Sequence, residues 1–356
     1  MATSWPTETN QNIQSSTRRL WVRTTIDQVL FKMPLYSRLL MAGGVRQPEK
    51  GGTEITRPVI TDNLESLGQD YTENEPLEGG SKTLLDTPTF RWKMFQIPVT
   101  YGPREQFENA GGSDTQILDM SSFLVDEAQK ATRIHLNKLM WDTSSTPGST
   151  DTGRKFQSII QALDHGTTYG NLARAGASGT RAWWESADIE GINAAGSESG
   201  SASTQDTAYA ASIETVRKMI DAVSENIESG QQLMGVCGPT LHLKLKSLVQ
   251  TEHSKANFAG PMAKYGFDSF MIDDVEFVKD PYLKNKNITN SHKWLLILNI
   301  PSWNLYLHPQ RSFAFTGFKW QGDIENGYDR WLARVMCRGN LVCWEPNSNI
   351  WLSNVA

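Results

Sequence analysis

The sequence predicts an α+β chain organised around one long helix, and three observations carry that class. A β-prone excursion runs out and back over residues 48–101. It leads into a single amphipathic helix that ends near Asp142. A compact α/β segment and a strand-rich C-terminal third then follow. At 356 residues the chain can bury a sizeable core, and its length suggests about two domains.

The excursion opens with Thr53, Glu54, Ile55, Thr56, Arg57, Pro58, Val59 and Ile60, bounded by Gly51 and Gly52, and returns from Thr89 to Val99. Its polar tip holds Asp62, Glu65, Asp70, Glu73, Glu75 and Glu78, and no Lys or Arg occurs from Pro58 to Ser81. An isolated two-stranded ribbon is marginally stable in water. The sequence offers it no evident internal partner, so a neighbouring subunit is the expected one. A surface hairpin with a solvated acidic tip is the alternative.

The helix after it begins at a capping box, Ser113 with Gln116 three residues on. Ile117, Met120, Leu124, Ala128, Ala131, Ile134 or His135, and Leu139 recur as one apolar stripe. Asp119, Asp126 and Glu127 precede Lys130, Arg133 and Lys138, the order that the helix macrodipole favours. At about 1.5 Å per residue the helix spans roughly 40 Å and reads as a structural spine.

Further along, Phe156, Ile159, Ile160 and Leu163 form a short helical stripe, and residues 194–211 read as a Ser/Ala/Gly/Thr-rich surface loop. Ile213, Val216, Met219, Ile220, Val223 and Ile227 mark an amphipathic helix that Gly230 stops. Leu233 to Cys237 is a short buried strand. Gly238-Pro239 then opens a helix with Leu241, Leu245 and Leu248 inward. Trp294 to Ile300 is a continuous apolar strand; Trp303, Leu305 and Leu307 alternate with polar neighbours. Trp331 to Cys343 reads as a long final strand.

The formal charge of −5 argues against a dedicated nucleic-acid binder. Charge is nevertheless segregated. Residues 18–50 carry Arg18, Arg19, Arg23, Lys32, Arg38, Arg46 and Lys50 against only Asp27 and Glu49. A basic arm followed by an acidic ribbon fits packing between copies, with a solvated face as the other reading. Trp5, Pro6 and Glu8 stand where a signal peptide needs basic and apolar residues, so none is expected. No apolar run approaches the ~20 residues of a membrane span. Cys237, Cys337 and Cys343 show neither an even number nor a ligand spacing, so free thiols in a reducing compartment are expected.

Residue patterns that carry chemistry are nearly absent. The six histidines form no metal-binding arrangement. Asp164 and His165 are adjacent in sequence, and Asp273-Asp274 reads as a solvated turn. Gly176 to Gly179 lacks the Lys-Ser/Thr ending of a phosphate loop. No catalytic, cofactor or metal residue is expected, and the chain reads as one built to assemble.

The element order resembles the major capsid proteins of tailed bacteriophages, the Hong Kong 97 type of shell protein. Local similarity is strongest in Ser291 to Asn299 (SHKWLLILN), Trp303 to Pro309 (WNLYLHP) and Arg334 to Cys343 (RVMCRGNLVC). The resemblance implies an N-terminal arm at 1–47, an extended loop at 48–101 and a peripheral domain with the spine helix at 102–145. An axial domain at 146–310 and returning peripheral strands at 311–356 complete it. It further implies hexamers and pentamers in an icosahedral shell around double-stranded DNA, held without sequence-specific contacts and without a membrane. The location would be the virion, and the host cytoplasm during assembly. Asp62, Glu65, Asp70, Glu73, Glu75, Glu78, Arg18, Arg19 and Arg23 become candidates for intersubunit contact. No coiled-coil-like segment precedes the arm, so a separate scaffolding protein is implied, with a portal and an optional decoration protein as further partners. Some relatives crosslink an extended-loop lysine to an asparagine. Lys82, Asn347 and Asn349 are residues of those types here, and no crosslink is read from them. An encapsulin-like compartment shell is the alternative in the same fold, and a soluble α/β enzyme using Asp164 and His165 is the alternative outside it.

Overall fold

The computed structural model describes residues 33–48, 52–61, 67, 70, 80–103, 120–142, 155–164, 168–174, 181–187, 211–227, 232–252, 268–284, 287–288, 290–321, 328–353 and 355. The chain divides into two compact units. One comprises Met1–Leu30, Pro98–Lys130 and Gly317–Arg334; the other holds Phe31–Ile97, Ala131–Thr316 and Val335–Ala356.

The helices are α1 (Pro34–Met41), α2 (Met120–Met140), α3 (Ile159–Leu163), α4 (Ile213–Ser224) and α5 (Pro239–Glu252). The strands before α2 are β1 (Val45–Arg46), β2 (Glu54–Thr56), β3 (Val59–Ile60), β4 (Leu85–Asp86), β5 (Thr89–Arg91) and β6 (Lys93–Tyr101). Next come β7 (Leu233–Cys237), β8 (Ser269–Ile272), β9 (Val275–Lys279), β10 (Leu295–Asn299) and β11 (Trp303–Leu307). The last four are β12 (Ala314–Phe315), β13 (Lys319–Trp320), β14 (Trp331–Cys343) and β15 (Ile350–Leu352).

In the larger unit a five-stranded sheet has the order β15-β10-β7-β9-β8. The second strand, β10, runs antiparallel to both β15 and β7, and the central β7 runs parallel to β9. All five residues of β10 are buried, which explains its uninterrupted apolar run. Alternation assigns its two faces. Leu295 and Ile297 join a core with Val216 and Met219 of α4 and Leu241 and Leu245 of α5, while Leu296 and Leu298 join a second core with Leu136, Met140 and Trp141. Asp273 and Asp274 both have positive φ in the two-residue turn joining β8 to β9, the geometry of a type I′ hairpin.

The same unit holds the strand order β1-β11-β14-β12, with β1 parallel to β11 and the other pairs antiparallel. β6 also pairs with β14. In the smaller unit β13 pairs antiparallel with the first residues of β14, placing Trp320 opposite Trp331. There Trp331 stacks on Tyr101 at 6.3 Å and meets Trp320 edge-on at 5.4 Å, so aromatic contact holds this short pairing.

Three expectations need correction. The buried face of α2 carries Ala128, Thr132, Leu136, Asn137, Leu139 and Met140, whereas Ala131 is only half-buried. Ala128 and Leu139 are buried as the stripe expects, but between them Thr132 and Leu136 face the core in place of Ala131 and His135. On α5, Val249 and His242 are fully inward and Leu248 is half-buried. β14 is not the last strand: Ile350–Leu352 returns as β15 along β10, a run too short for alternation to reveal.

Candidate intersubunit surface

The ribbon is built from two short antiparallel pairs. In the first, Ile55 faces Phe90; in the second, Ile60 faces Leu85. Five positions separate Ile55 from Ile60, and five separate Leu85 from Phe90. An odd offset puts the two pairs on opposite faces of a period-two strand. Ile55 and Phe90 are 7% and 0% exposed, while Ile60 and Leu85 are 75% and 58% exposed.

The first pair overturns the expectation of a ribbon without an internal partner. Phe90 meets Tyr169 and Trp344 edge-on at 5.0 and 5.6 Å. Gly170 is required beneath it: φ is +59°, and an added Cβ would come within 2.8 Å of the Phe90 ring. The backbone N–H of Thr89 donates to the Gly170 carbonyl at 2.9 Å, and Arg181 Nε donates to Asp86 Oδ2 at 2.8 Å. The base of the ribbon is therefore fixed to its own subunit. One aromatic inside an alternating run gave little sequence sign of this.

The second pair is what remains uncovered. Beside it lies a cleft of about 490 Å³, lined by Ile60 and Thr61 from the ribbon and by Trp183, Trp344, Pro346 and Asn347 from the body. A directly opposed pair of exposed aliphatic side chains, one of them at the edge of a cleft of mixed aromatic and polar lining, has the chemistry of a contact surface.

Of the charged candidates, Asp70 is described and is exposed. Asp62, Glu65, Glu73, Glu75, Glu78, Arg18, Arg19 and Arg23 lie outside the described residues, as do His165 and the helix cap at Ser113. Lys82 and Asn347 are half-buried. Asn349 is fully buried: its Oδ1 accepts from the Asn299 backbone N–H and from Trp303 Nε1, both at 2.8 Å, and its Nδ2 donates to the Glu345 carbonyl at 2.7 Å. Its amide is committed to the core of its own subunit.

No family model matches the chain, and no curated protein matches it in sequence. Solved structures do. The capsid asymmetric unit of cyanophage A-1(L) superimposes with a TM-score of 0.66 at 14% identity, over 97% of this chain and 99% of that one. The chain has the fold of tailed-phage capsid proteins. The capsid of a native GTA particle matches at TM-score 0.57 and 10% identity, over 99% of this chain and 100% of that one. The capsid of Myoviridae phage XM1 gives 0.56 and 10%, over 94% and 96%.

Within this fold the three cysteines and Arg174 are held in the interior. All three cysteines are free and buried; burial pushes the Cys337 thiol up to about 11 and Cys343 to about 12, far from thiolate reactivity at neutral pH. Arg174 is fully buried among backbone carbonyls. Its Nε donates to Trp184 O at 2.8 Å, and its terminal nitrogens donate to the carbonyls of Gln161, Ala162 and Asp164 at the end of α3. Its guanidinium also lies 5.0 Å over the Tyr169 ring. Desolvation lowers its pKa to about 10, so it stays charged at neutral pH and caps the α3 C-terminus. Among the described residues no group of three His, Cys, Asp or Glu gathers as a metal site, and no helix is long and apolar enough to cross a membrane.

Proposed function

We propose that this chain is a major capsid protein, self-assembling as hexamers and pentamers into an icosahedral shell that encloses the double-stranded DNA of a tailed phage. The observation that carries the reading is the extent of the structural match: 97% of this chain against 99% of a chain from a phage capsid asymmetric unit. The exposed pair Ile60–Leu85, on a ribbon whose base is anchored to its own body, supports it, because this arrangement presents apolar surface outward from a rigid support. The acidic tip residues Asp62, Glu65, Asp70, Glu73, Glu75 and Glu78, and the basic residues Arg18, Arg19 and Arg23, are proposed as intersubunit contacts. A separate scaffolding protein, a portal and an optional decoration protein are the proposed partners. DNA is enclosed without sequence-specific binding, in keeping with a net charge of −5. The proposed location is the virion, reached through assembly in the host cytoplasm. The five-part division proposed from sequence (1–47, 48–101, 102–145, 146–310 and 311–356) belongs to the same reading.

Deleting Leu64 to Glu78 tests the proposal. The subunit should fold, because the anchoring residues Phe90, Tyr169 and Trp344 remain, but closed shells should not form. Normal particles from the deletion variant would reject the role given to the ribbon tip. Replacing Glu73, Glu75 and Glu78 with Gln tests the charge component. Assembly should slow more at low salt than near 1 M, where the Debye length is about 3 Å. Equal rates across the salt series would remove the acidic tip from the contact surface.

A further inference from the structure

Asp280 is fully buried, and among the described residues no cation pairs with its carboxylate. It follows β9 and opens the turn leading to Leu283. Its Oδ1 accepts from the backbone N–H of Tyr282 at 2.8 Å, and its Oδ2 accepts from the indole Nε1 of Trp141 at 3.0 Å. Trp141 is itself fully buried and is the first residue after α2. One carboxyl group thus joins the end of α2 to the end of β9, both within the larger unit. We propose that Asp280 is a proton-operated tie: neutral, it holds the α2 terminus against the turn after β9, and ionised, it loosens that junction.

The physical reason is the absence of a countercharge among the described residues. A buried carboxylate without a cation is disfavoured by desolvation, and two neutral N–H donors offset only part of that cost. Burial raises the pKa of Asp280 to about 7 against the opposing pull of the Tyr282 and Trp141 hydrogen bonds. The groups around it do not supply the missing charge. Lys155 is engaged with Asp142 at 2.6 Å, and Lys279 with Asp268 at 2.7 Å. The Tyr282 phenol and the Cys237 thiol are both shifted upward by burial, and so are neutral near pH 7.

The sign follows from linkage. An aspartate in the unfolded chain titrates near 3.9, so between about pH 4 and 7 the folded state binds more protons than the unfolded one. The contribution of this group is fully present below the unfolded pKa and is lost as pH rises through about 7. The inference concerns the single subunit and does not depend on the capsid reading.

Hydrogen-exchange mass spectrometry on the full chain from pH 5 to 8.5, corrected for intrinsic exchange rates, tests it in the segments 136–142 and 280–284. Protection there should fall several-fold with a midpoint near pH 7, while β10 stays protected throughout. Asp280→Asn should abolish the pH dependence at the junction. Trp141→Phe, which removes one donor and keeps an aromatic ring, should move the midpoint upward, and it keeps the test intact if the Asn variant does not fold. A flat wild-type profile, the same fall in Asp280→Asn, or an unmoved midpoint in Trp141→Phe would each overturn the proposal.

Discussion

Ile60 and Leu85 stand directly opposite each other on the ribbon, with most of both side chains in water. Their removal should therefore separate assembly from stability. The double substitution Ile60→Ser with Leu85→Ser should change subunit stability by no more than about 0.5 kcal/mol. Sedimentation should show the loss of fast particles with the subunit's melting temperature nearly unchanged. Particles that form as in the wild type would place the contact surface elsewhere.

Arg174 should behave in the opposite way, as a residue of the fold. Arg174→Met removes a cation that serves four carbonyls around α3, leaving buried acceptors short of a donor. A cost of about 2–4 kcal/mol is expected, read as a lowered denaturant midpoint or insoluble protein. Arg174→Lys should recover only part of it, because an ammonium cannot reach all four acceptors. Wild-type stability in the Met variant would refute this role.

The buried face of α2 gives a positional test. Leu136→Ala should cost about 2–5 kcal/mol, since Leu136 lies in the core, whereas the exposed Arg133 should tolerate Ala within about 0.5 kcal/mol. Thr132→Asp should damage folding more than Ala131→Asp, because Thr132 is the residue that faces inward. Solubility and cooperative melting of the four variants decide the orientation, and the reverse order for the last two would restore the stripe read from sequence.

Asp268 predicts the acid limb of stability. Hydrogen bonds from Lys246 and Lys279, each at 2.7 Å, hold its pKa down to about 2. A depressed carboxylate contributes stability that is present above the unfolded pKa near 3.9 and is lost as pH falls through the folded value. Wild-type melting temperature should thus decline between about pH 4 and 2, and Asp268→Asn should flatten that decline. Parallel profiles would show that the two lysines are merely solvated neighbours.

Much of this fold was legible because apolar patterning is a local signal. The strands at Leu233–Cys237 and Leu295–Asn299 and the helix Ile213–Ser224 stand where continuous or helical apolar spacing put them. What could not be read depends on long-range pairing or on polar residues used as core. Val45 and Arg46 become a strand only by pairing with Leu305 and Tyr306, far along the chain. Asn349 and Arg174 belong to residue types that are usually solvated, yet both are fully buried because backbone and side-chain partners satisfy them. At the candidate surface the acidic tip dominates the sequence. The Ile60–Leu85 pair emerges only once the register shows the two residues opposed and on the face away from Phe90.

The most direct test of the capsid reading is a negative-stain electron micrograph of the purified full chain, expressed alone and together with the scaffolding protein proposed above. Closed, uniform, angular shells built from hexameric and pentameric capsomers are the expected result, with free capsomers abundant when the scaffold is withheld. A monodisperse small oligomer under both conditions, with no shells at any salt concentration, would contradict it.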